Sequence, residues 1–303
     1  MPNISIVLPV YNVAPYLEAC LDSLKKQTYQ DFEVIAVNDG SADGSLAILE
    51  AYQREFRNLQ IISQTNRGLS AARNAGLAQV TGKYLYFLDS DDYLQHDMLE
   101  RCFRLAEDKA LDVVKFDAEP FAEAGNRIMN AYDSSDVLQE NYVYSQKEWL
   151  DAQRRRYNSP VWLYVLRSEL VFKHGLRFVD GILHEDEIFT PQLFTRAERF
   201  MYIAEPFFKR RYRDGSIMQS SIYASQTSYD SKREVIRLLD DERAAAKTRG
   251  AQRFLRKRCM ILAIDIRHYA KELQRKGALP VGVRLYVTMR AWIRKVRRRN
   301  GVG

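Results

Sequence analysis

The sequence has 303 residues, 46% of them hydrophobic, so it has the apolar content for one large domain or two modest ones and is not a disordered chain. No run of about eighteen apolar residues occurs and the start, MPNISIVLPVYN, lacks a secretory signal, so we expect a cytoplasmic protein without a membrane span. The net charge of +7 suits an anionic partner, and three cysteines without CxxC spacing suggest neither a disulfide framework nor a zinc site.

Short apolar runs alternate with amphipathic segments in the first part of the chain, as in βαβ units on a parallel sheet. The pattern predicts strands over 4–8, 32–37, 59–63, 84–88 and 112–116, with helices over 14–27, 45–56, 69–79 and 96–108. Functional loops of such sheets lie beyond the carboxyl ends of the strands. We therefore expect the site at that edge.

The pattern changes twice further along the chain. Beyond residue 117 it loosens, and 122–146 read as irregular or hairpin structure covering one side of the sheet. The strand-like FMYIAEPFFKRRYR at 200–213 completes the same domain, and helical periodicity begins near 223. We predict an α/β domain over 1–220 and a helical C-terminal region over 221–303.

A polar motif follows each of the first four predicted strands. These motifs are PVYN at 9–12, NDGSADGS at 38–45, NRGLSAARN at 66–74 and DSDD at 89–92. Taken singly, each reads as a turn or as a helix cap, with Asp43 or Ser45 as the capping residue. Four polar edges of one crevice favour a binding site instead.

The carboxylates of DSDD pose an electrostatic problem, since three of them repel one another unless a cation lies among them. Mg²⁺ and Mn²⁺ prefer oxygen ligands and are commonly held by one or two carboxylates plus substrate phosphates. Asp89 and Asp91 can supply those carboxylates. The motifs GxGxxG and GxxxxGK[ST] are absent after the first strand, so the pattern favours a nucleotide diphosphate bound through a metal.

The series LPVYN, VNDGSADGS, NRGLSAARNAG, LDSDD and HEDEIF resembles the inverting GT-A glycosyltransferases of family 2, the bacterial polysaccharide type that makes O-antigen and capsule, over residues 3 to 220. The resemblance implies a GT-A fold, a Rossmann-like mostly parallel sheet flanked by helices, followed by a helical C-terminal region. It also implies a UDP-sugar donor of hexose type, Mn²⁺ or Mg²⁺ as cofactor, and a glycan acceptor linked to undecaprenyl diphosphate.

The resemblance also assigns roles to residues of the crevice. Asp39 would pair with the nucleotide base, usually uracil, flanked by Pro9 and Tyr11. The nucleotide would be reached by Asn66 and Arg73. The DxD element Asp89-Ser90-Asp91 would hold ribose, metal and diphosphate, with Asp91 as first choice of metal ligand.

A second carboxylate group lies in HEDEIF at 184–189. On local pattern it can be an acidic helix start. By resemblance it carries the catalytic base, because displacement at an anomeric carbon needs a carboxylate to take the acceptor proton. We assign the base to Asp186 and acceptor binding to Glu185, with exchange of these roles as the main alternative.

Two basic segments have competing interpretations. In KRRYRDGS, Arg213 and Ser216 resemble a family loop that closes over the diphosphate, while the alternative is a solvated strand face. The tail has Leu285, Met289 and Trp292 on one stripe and arginines on another. This stripe predicts either peripheral contact with the cytoplasmic face of the inner membrane or packing on the domain.

The competing functions are a nucleotidyltransferase and a nucleotide-sugar-binding protein without catalysis. A nucleotidyltransferase commonly has a glycine-rich basic loop after the first strand, which is absent here. Intact Asp89, Asp91 and Asp186 argue against a protein that only binds. A nucleic-acid partner would explain the basic tail but not the acidic crevice, so we expect none.

Overall fold

The computed structural model describes residues 2–123, 128, 132–213 and 225–275. The strands are β1 (Ile4–Val10), β2 (Phe32–Asp39), β3 (Leu59–Gln64), β4 (Tyr84–Phe87), β5 (Tyr93–Leu94), β6 (Val113–Ala122), β7 (Tyr144–Ser145), β8 (Tyr164–Arg167) and β9 (Arg199–Tyr212). The helices are α1 (Ala14–Lys25), α2 (Ser45–Glu55), α3 (Leu69–Leu77), α4 (Met98–Asp108), α5 (Gln146–Gln153), α6 (Ser168–Lys173), α7 (Asp186–Phe194), α8 (Gln226–Ala245) and α9 (Arg249–Arg275), with a 3₁₀ turn at Val161–Leu163. Every strand and helix predicted in the first 116 residues is confirmed.

The strands form one sheet in the order β3-β2-β1-β4-β8-β6-β9-β5, with β7 paired to β9. The long ladders β1–β2, β2–β3, β1–β4 and β6–β9 are parallel. Each antiparallel ladder has only two or three residue pairs. The prediction of a mostly parallel sheet flanked by helices is therefore confirmed.

The second half of the sheet differs from the sequence-based expectation in one respect. The expected loosening beyond residue 117 is wrong for the first residues of that stretch, because β6 continues to Ala122. The extension pairs with β9 as far as Ala122 and Tyr212. This pairing joins segments about ninety residues apart, which local periodicity does not report.

Helices pack on both halves of the sheet. Leu17, Leu21 and Leu24 of α1 are buried as predicted, and α3 packs so closely on β1 that a Cβ at Gly76 would lie 2.5 Å from Val7 Cγ1. The buried Phe254 of α9 belongs to the same hydrophobic core as these strands. The division at 220/221 stays a prediction, and the tail stripe at 285–298 lies outside the described residues.

This topology determines where the polar motifs meet. The carboxyl ends of β1, β2, β3 and β4 share one edge of the sheet. Antiparallel pairing of Tyr93 in β5 with Lys209 in β9 brings the basic end of β9 to DSDD at that same edge. None of the helices within the described ranges is long and apolar enough to cross a membrane.

Candidate active site

A cavity of about 870 Å³ opens at this edge of the sheet. Its lining includes every predicted site residue within the described part of the chain: Pro9, Tyr11, Asp39, Asn66, Arg73, Asp89, Ser90, Asp91, Glu185, Asp186 and Arg213. Ser216 lies outside the described residues. Two further walls come from residues 157–160 with Trp162 and from residues 181–184.

The loops after β1 and β2 are tied to each other. Asn12 has a positive φ of 49°, its backbone N–H donates to Ser41 Oγ at 3.2 Å, and its Oδ1 accepts from Ala42 N at 2.9 Å. Asp43 accepts from the first N–H of α1, at Ala14, and of α2, at Ser45. Asp43 thus accepts from the first N–H of two helices, but the N-cap of α2 is Gly44 and Ser45 is its first residue, so the interpretation of Asp43 or Ser45 as the capping residue is wrong.

Asp39 is buried at the end of β2 and holds the loop that follows β3. Its Oδ1 accepts from Gln64 Nε2 at 2.7 Å and from Arg67 N at 2.9 Å, and its Oδ2 accepts from Gly68 N at 2.8 Å. Gly40 has a φ of 70°, and a Cβ there would lie 2.8 Å from Asn66 N. Asp39 therefore has a structural role that was not predicted, and its contact with a base stays a prediction.

Tyr11 and Pro9 lie beside this clamp. The Tyr11 side chain is among the exposed large hydrophobic groups, at 49% exposure, and both residues line the cavity together with Asp39 and Asn66. An exposed aromatic ring facing a cavity offers a surface on which a planar base can stack. Their predicted role as the walls of a base site stays a prediction.

Arg73 of α3 lies between the two carboxylate groups. Its Nη2 donates to Asp89 Oδ1 at 2.8 Å, and its Nη1 donates to Glu185 Oε1 at 2.7 Å and to Asp186 Oδ1 at 3.1 Å. Only 2% of the Arg73 side chain is exposed. Burial lowers its pKa, but Asp186, Asp89 and Glu185 outweigh that effect, so the pKa of Arg73 is raised and it stays charged.

Asp186 is the first residue of helix α7, after the N-cap Glu185 and the strained residue His184, whose φ is 65°. The acidic-helix-start interpretation is thus right about position, yet Glu185 and Asp186 both contact Arg73. Burial raises the pKa of Asp186 well above its ordinary value, with Arg73 opposing and Glu185 adding to the rise. A carboxylate with a raised pKa is a stronger base, as proton abstraction from a hydroxyl requires.

Arginines accompany each carboxylate of DSDD, where the sequence-based prediction named a metal as the cation that relieves their repulsion. Asp89 binds Arg73, and Asp91 Oδ2 accepts from Arg213 Nε at 2.9 Å. Asp92, whose side chain is 0% exposed, accepts from Arg210 Nη1 at 2.8 Å and from Arg211 N at 2.6 Å. The sequence-based prediction named a metal as the cation here; arginines also offset these carboxylates, and the metal stays a prediction.

The basic end of β9 is not a solvated face. Arg210, Arg211 and Arg213 all bond to Asp91 or Asp92, and the guanidinium of Arg213 lies 4.6 Å from the ring centre of Tyr16. Tyr16 and Arg210 were not predicted as site residues. The signal for Arg210 was present, since KRRYR lies at the end of a predicted strand, but its pairing partner was not evident.

Asp89 and Asp91 fit a divalent metal only together with a ligand. Among the described residues no group of three or more His, Cys, Asp or Glu could hold a metal. Asp89 Oδ2 accepts no hydrogen bond within the described part, and Asp91 Oδ1 lies 3.8 Å from Arg210 Nη1. Two carboxylates with an available oxygen each suit Mg²⁺ or Mn²⁺ completed by water and phosphate oxygens.

Comparison with known proteins identifies the family. The sequence model described as "Glycosyl transferase family 2" matches residues 5–197. The chain belongs to this family. Family membership and the GT-A fold predicted from the motifs are thereby confirmed.

Bacterial glycosyltransferases are among the relatives of this chain. It is 34% identical to EpsJ of Bacillus subtilis over 231 residues, 72% of this chain and 64% of EpsJ. It is 31% identical to YibD of Escherichia coli over 210 residues, 68% and 60% of the two chains. The matches therefore span less than two thirds of these relatives' own length.

Solved structures share the GT-A fold with this family member. TarS 1–349 of S. aureus, in complex with UDP-GlcNAc, has a TM-score of 0.68 at 24% identity, covering 83% of this chain and 69% of that one. The mannosyltransferase PcManGT of Pyrobaculum calidifontis, in complex with GDP-Man and Mn²⁺, has a TM-score of 0.56 at 18% identity, covering 98% and 86%. At these identities the likeness shows the fold alone.

Proposed function

We propose that this family 2 member is a metal-dependent inverting glycosyltransferase that moves a hexose-type sugar from a UDP-sugar to a hydroxyl of a glycan acceptor. The observation that carries the proposal is the cavity itself, where the pair Asp89 and Asp91 and the pair Glu185 and Asp186 lie on either side of Arg73. One carboxylate pair suits a diphosphate and its metal, while the other suits an acceptor hydroxyl.

The donor base would occupy the part of the cavity between Pro9, Tyr11, Asp39 and Asn66. Each Asp39 oxygen has more than one lone pair, so the carboxylate can accept from a base N–H while it holds the loop. The complex of TarS with UDP-GlcNAc supports a uridine diphosphate donor, because TarS shares the fold that carries these residues. The donor sugar itself is not specified by these contacts.

Asp91 and Asp89 would hold Mn²⁺ or Mg²⁺ in this scheme, and the Mn²⁺ complex of PcManGT supports the assignment. Such an ion, when bound, offsets the charge that the diphosphate gains as it departs. Arg213, 2.9 Å from Asp91, adds a fixed positive charge on the same side of the cavity. Ser90 contributes a buried polar side chain to this wall.

Asp186 would take the proton of the acceptor hydroxyl as that oxygen attacks the anomeric carbon and the bond to the diphosphate breaks. Glu185 would orient the acceptor beside it. One displacement inverts the anomeric centre, so an α-linked donor gives a β-linked product. The hydrogen-bonding neighbours of this base are Arg73, which lines the cavity, and Val161 N.

We further propose that the acceptor is carried on a lipid, undecaprenyl diphosphate in surface polysaccharide synthesis, and that the enzyme acts at the cytoplasmic face of the membrane. A relative named cholesterol galactosyltransferase, from Borreliella burgdorferi, supports a lipid acceptor; it is 32% identical over 73% of this chain and 63% of its own length. Peripheral contact through the basic tail is part of this proposal.

The test is transfer from a panel of UDP-sugars to a lipid-linked acceptor, with the product anomer read by NMR. Asp186→Asn is expected to keep UDP-sugar affinity and to lower kcat by about 100-fold or more, since the amide cannot accept the proton. Glu185→Gln is the matched control, with a larger effect on acceptor KM than on kcat. A product of retained configuration would refute the single-displacement mechanism.

A further inference from the structure

Arg73 contacts both halves of the proposed site through one buried guanidinium. The contacts to Asp89, Glu185 and Asp186 are 2.7 to 3.1 Å long. Asp89 lies 16 residues from Arg73 in sequence and Asp186 lies 113 residues away. Arg73 is thus a direct link between the loop after β4 and the start of α7.

The position of this guanidinium is fixed from outside the carboxylate cluster. It lies 5.1 Å from the ring centre of Phe178, which stacks on Phe189 of α7 at 4.3 Å and 7°. The neighbouring Asn74 bonds to both the backbone O and N of Phe178. Stacking on an aromatic ring restricts the planar guanidinium, so Arg73 presents its donors in one orientation.

This arrangement distinguishes the two oxygens of each aspartate. Arg73 bonds to Oδ1 of Asp89 and to Oδ1 of Asp186. Asp186 Oδ2 has only the 3.4 Å contact from Val161 N, and Asp89 Oδ2 accepts nothing within the described residues. One oxygen of each carboxylate is therefore held, and the other is available for a ligand.

We infer that Arg73 is a positioning residue that fixes Asp186 relative to Asp89, so that Asp186 Oδ2 is the atom that takes the acceptor proton and Asp89 Oδ2 is the atom that meets the metal. The inference rests on the proposed function and specifies how its two halves are held in register. It differs from the role that family resemblance gives to Arg73, which is contact with the nucleotide.

Arg73→Lys separates these two roles, because lysine keeps the charge but lacks the planar fork that spans three carboxylates. We expect UDP affinity, measured by calorimetry at saturating Mn²⁺, to stay within about threefold, while kcat for transfer falls about 100-fold through misplacement of the base. Arg167→Lys is the matched control: Arg167 also lies over an aromatic ring, 5.4 Å from Tyr84, and binds Asp112, but it does not line the cavity. Its kcat should equal that of the wild type.

Equal losses of UDP affinity and kcat in Arg73→Lys would overturn the inference and favour contact with the nucleotide. An unchanged kcat would also overturn the inference. A readout independent of transfer is Mn²⁺ binding, followed by electron paramagnetic resonance on Arg73→Gln. Removing the positive charge alone would tighten Mn²⁺ binding, but loss of the contact that holds Asp89 in place should weaken it at least about threefold. Unchanged or tighter binding contradicts the inference.

The two proposals fail in different ways. Absence of transfer by the wild type from every donor would remove the proposed function and leave the Mn²⁺ measurement to decide the role of Arg73. If Arg73→Gln does not fold, as judged by its thermal unfolding, Arg73→Lys decides the question by comparing its UDP affinity with its kcat. If no transfer can be measured, the Mn²⁺ affinity of Arg73→Lys decides instead. Positioning by the guanidinium fork predicts that this affinity falls, whereas an effect of charge alone predicts no change, because lysine keeps the charge.

Discussion

Two buried basic side chains of this chain, Arg73 and Lys115, contact different numbers of carboxylates. Arg73 faces three carboxylates in the wall of the cavity. Lys115 of β6, which is 0% exposed, faces one carboxylate: its Nζ lies 3.2 Å from Asp117 Oδ1 and 4.9 Å from the ring centre of Tyr202. Lys115 and Asp117 do not line the cavity.

The difference lies in charge balance. Lys115 and Asp117 cancel, and the hydroxyl of Tyr202 donates to the second Asp117 oxygen, so the fold itself satisfies the pair. The carboxylates around Arg73 outnumber it, and uncompensated negative charge close to the interior is costly. A cluster that persists with excess charge beside a cavity is typical of a site completed by a ligand, whereas a balanced pair needs none.

The largest expected effect follows from this contrast. Asp91→Ala should lower transfer about 1000-fold, because the departing diphosphate loses a ligand of its counter-ion. The double variant Lys115→Met with Asp117→Leu should retain transfer within about twofold. Initial rates at saturating donor, with and without a chelator, measure both; full activity of the wild type in excess chelator would remove the metal from the mechanism.

The same pair predicts a smaller effect on stability. Lys115→Met alone leaves Asp117 buried with only the Tyr202 hydroxyl, so it should lower the free energy of unfolding by about 3 kcal/mol. The double variant removes both charges and should recover most of that loss. Urea unfolding followed by circular dichroism compares the three proteins, and equal losses in the single and double variants would show that the pair is not coupled.

The elements of the fold were predictable because their signals are local. Periodicity over a few residues places β1 to β4 and the helices between them, and the polar motifs at the strand ends identify one edge of the sheet. Pairings between distant segments were not predictable. Arg73 meets Glu185 across 112 residues of sequence and Arg210 meets Asp92 across 118, and no local pattern records such contacts.

Asp39 illustrates the same limit within a single residue. Its place in the cavity followed from the motif, but its three bonds to the last residue of β3 and the loop after it depend on β2 and β3 lying side by side. A residue whose only partner is a base could be replaced by alanine without any change in the fold. The three bonds predict instead that Asp39→Ala disturbs the loop after β3, and a variant with an unchanged fold would contradict this structural role. Lys115 was not predicted at all, because a single lysine in an apolar strand gives no pattern.

The smallest expected effect is a pH dependence that belongs to Lys115 and not to Arg73. Burial lowers the pKa of Lys115 from 10.5 to about 8, with Asp117 opposing. Between these values the unfolded chain binds the proton and the folded chain does not, so the free energy of unfolding should rise with pH by about 1 kcal/mol for each pH unit from 8 to 10. Lys115→Met should lack this rise.

The measurement is the difference in unfolding free energy between the wild type and Lys115→Met at several pH values, which cancels the titration of groups common to both proteins. Arg73 gives the comparison, since the carboxylates around it raise its pKa and it keeps its proton throughout this range. A wild-type minus Lys115→Met difference that stays constant from pH 8 to 10 would mean that Lys115 keeps its proton as well. In that case Asp117 fully compensates the buried charge of Lys115. The Arg73 and Lys115 clusters would then differ in their number of carboxylates, while both basic side chains would keep their protons.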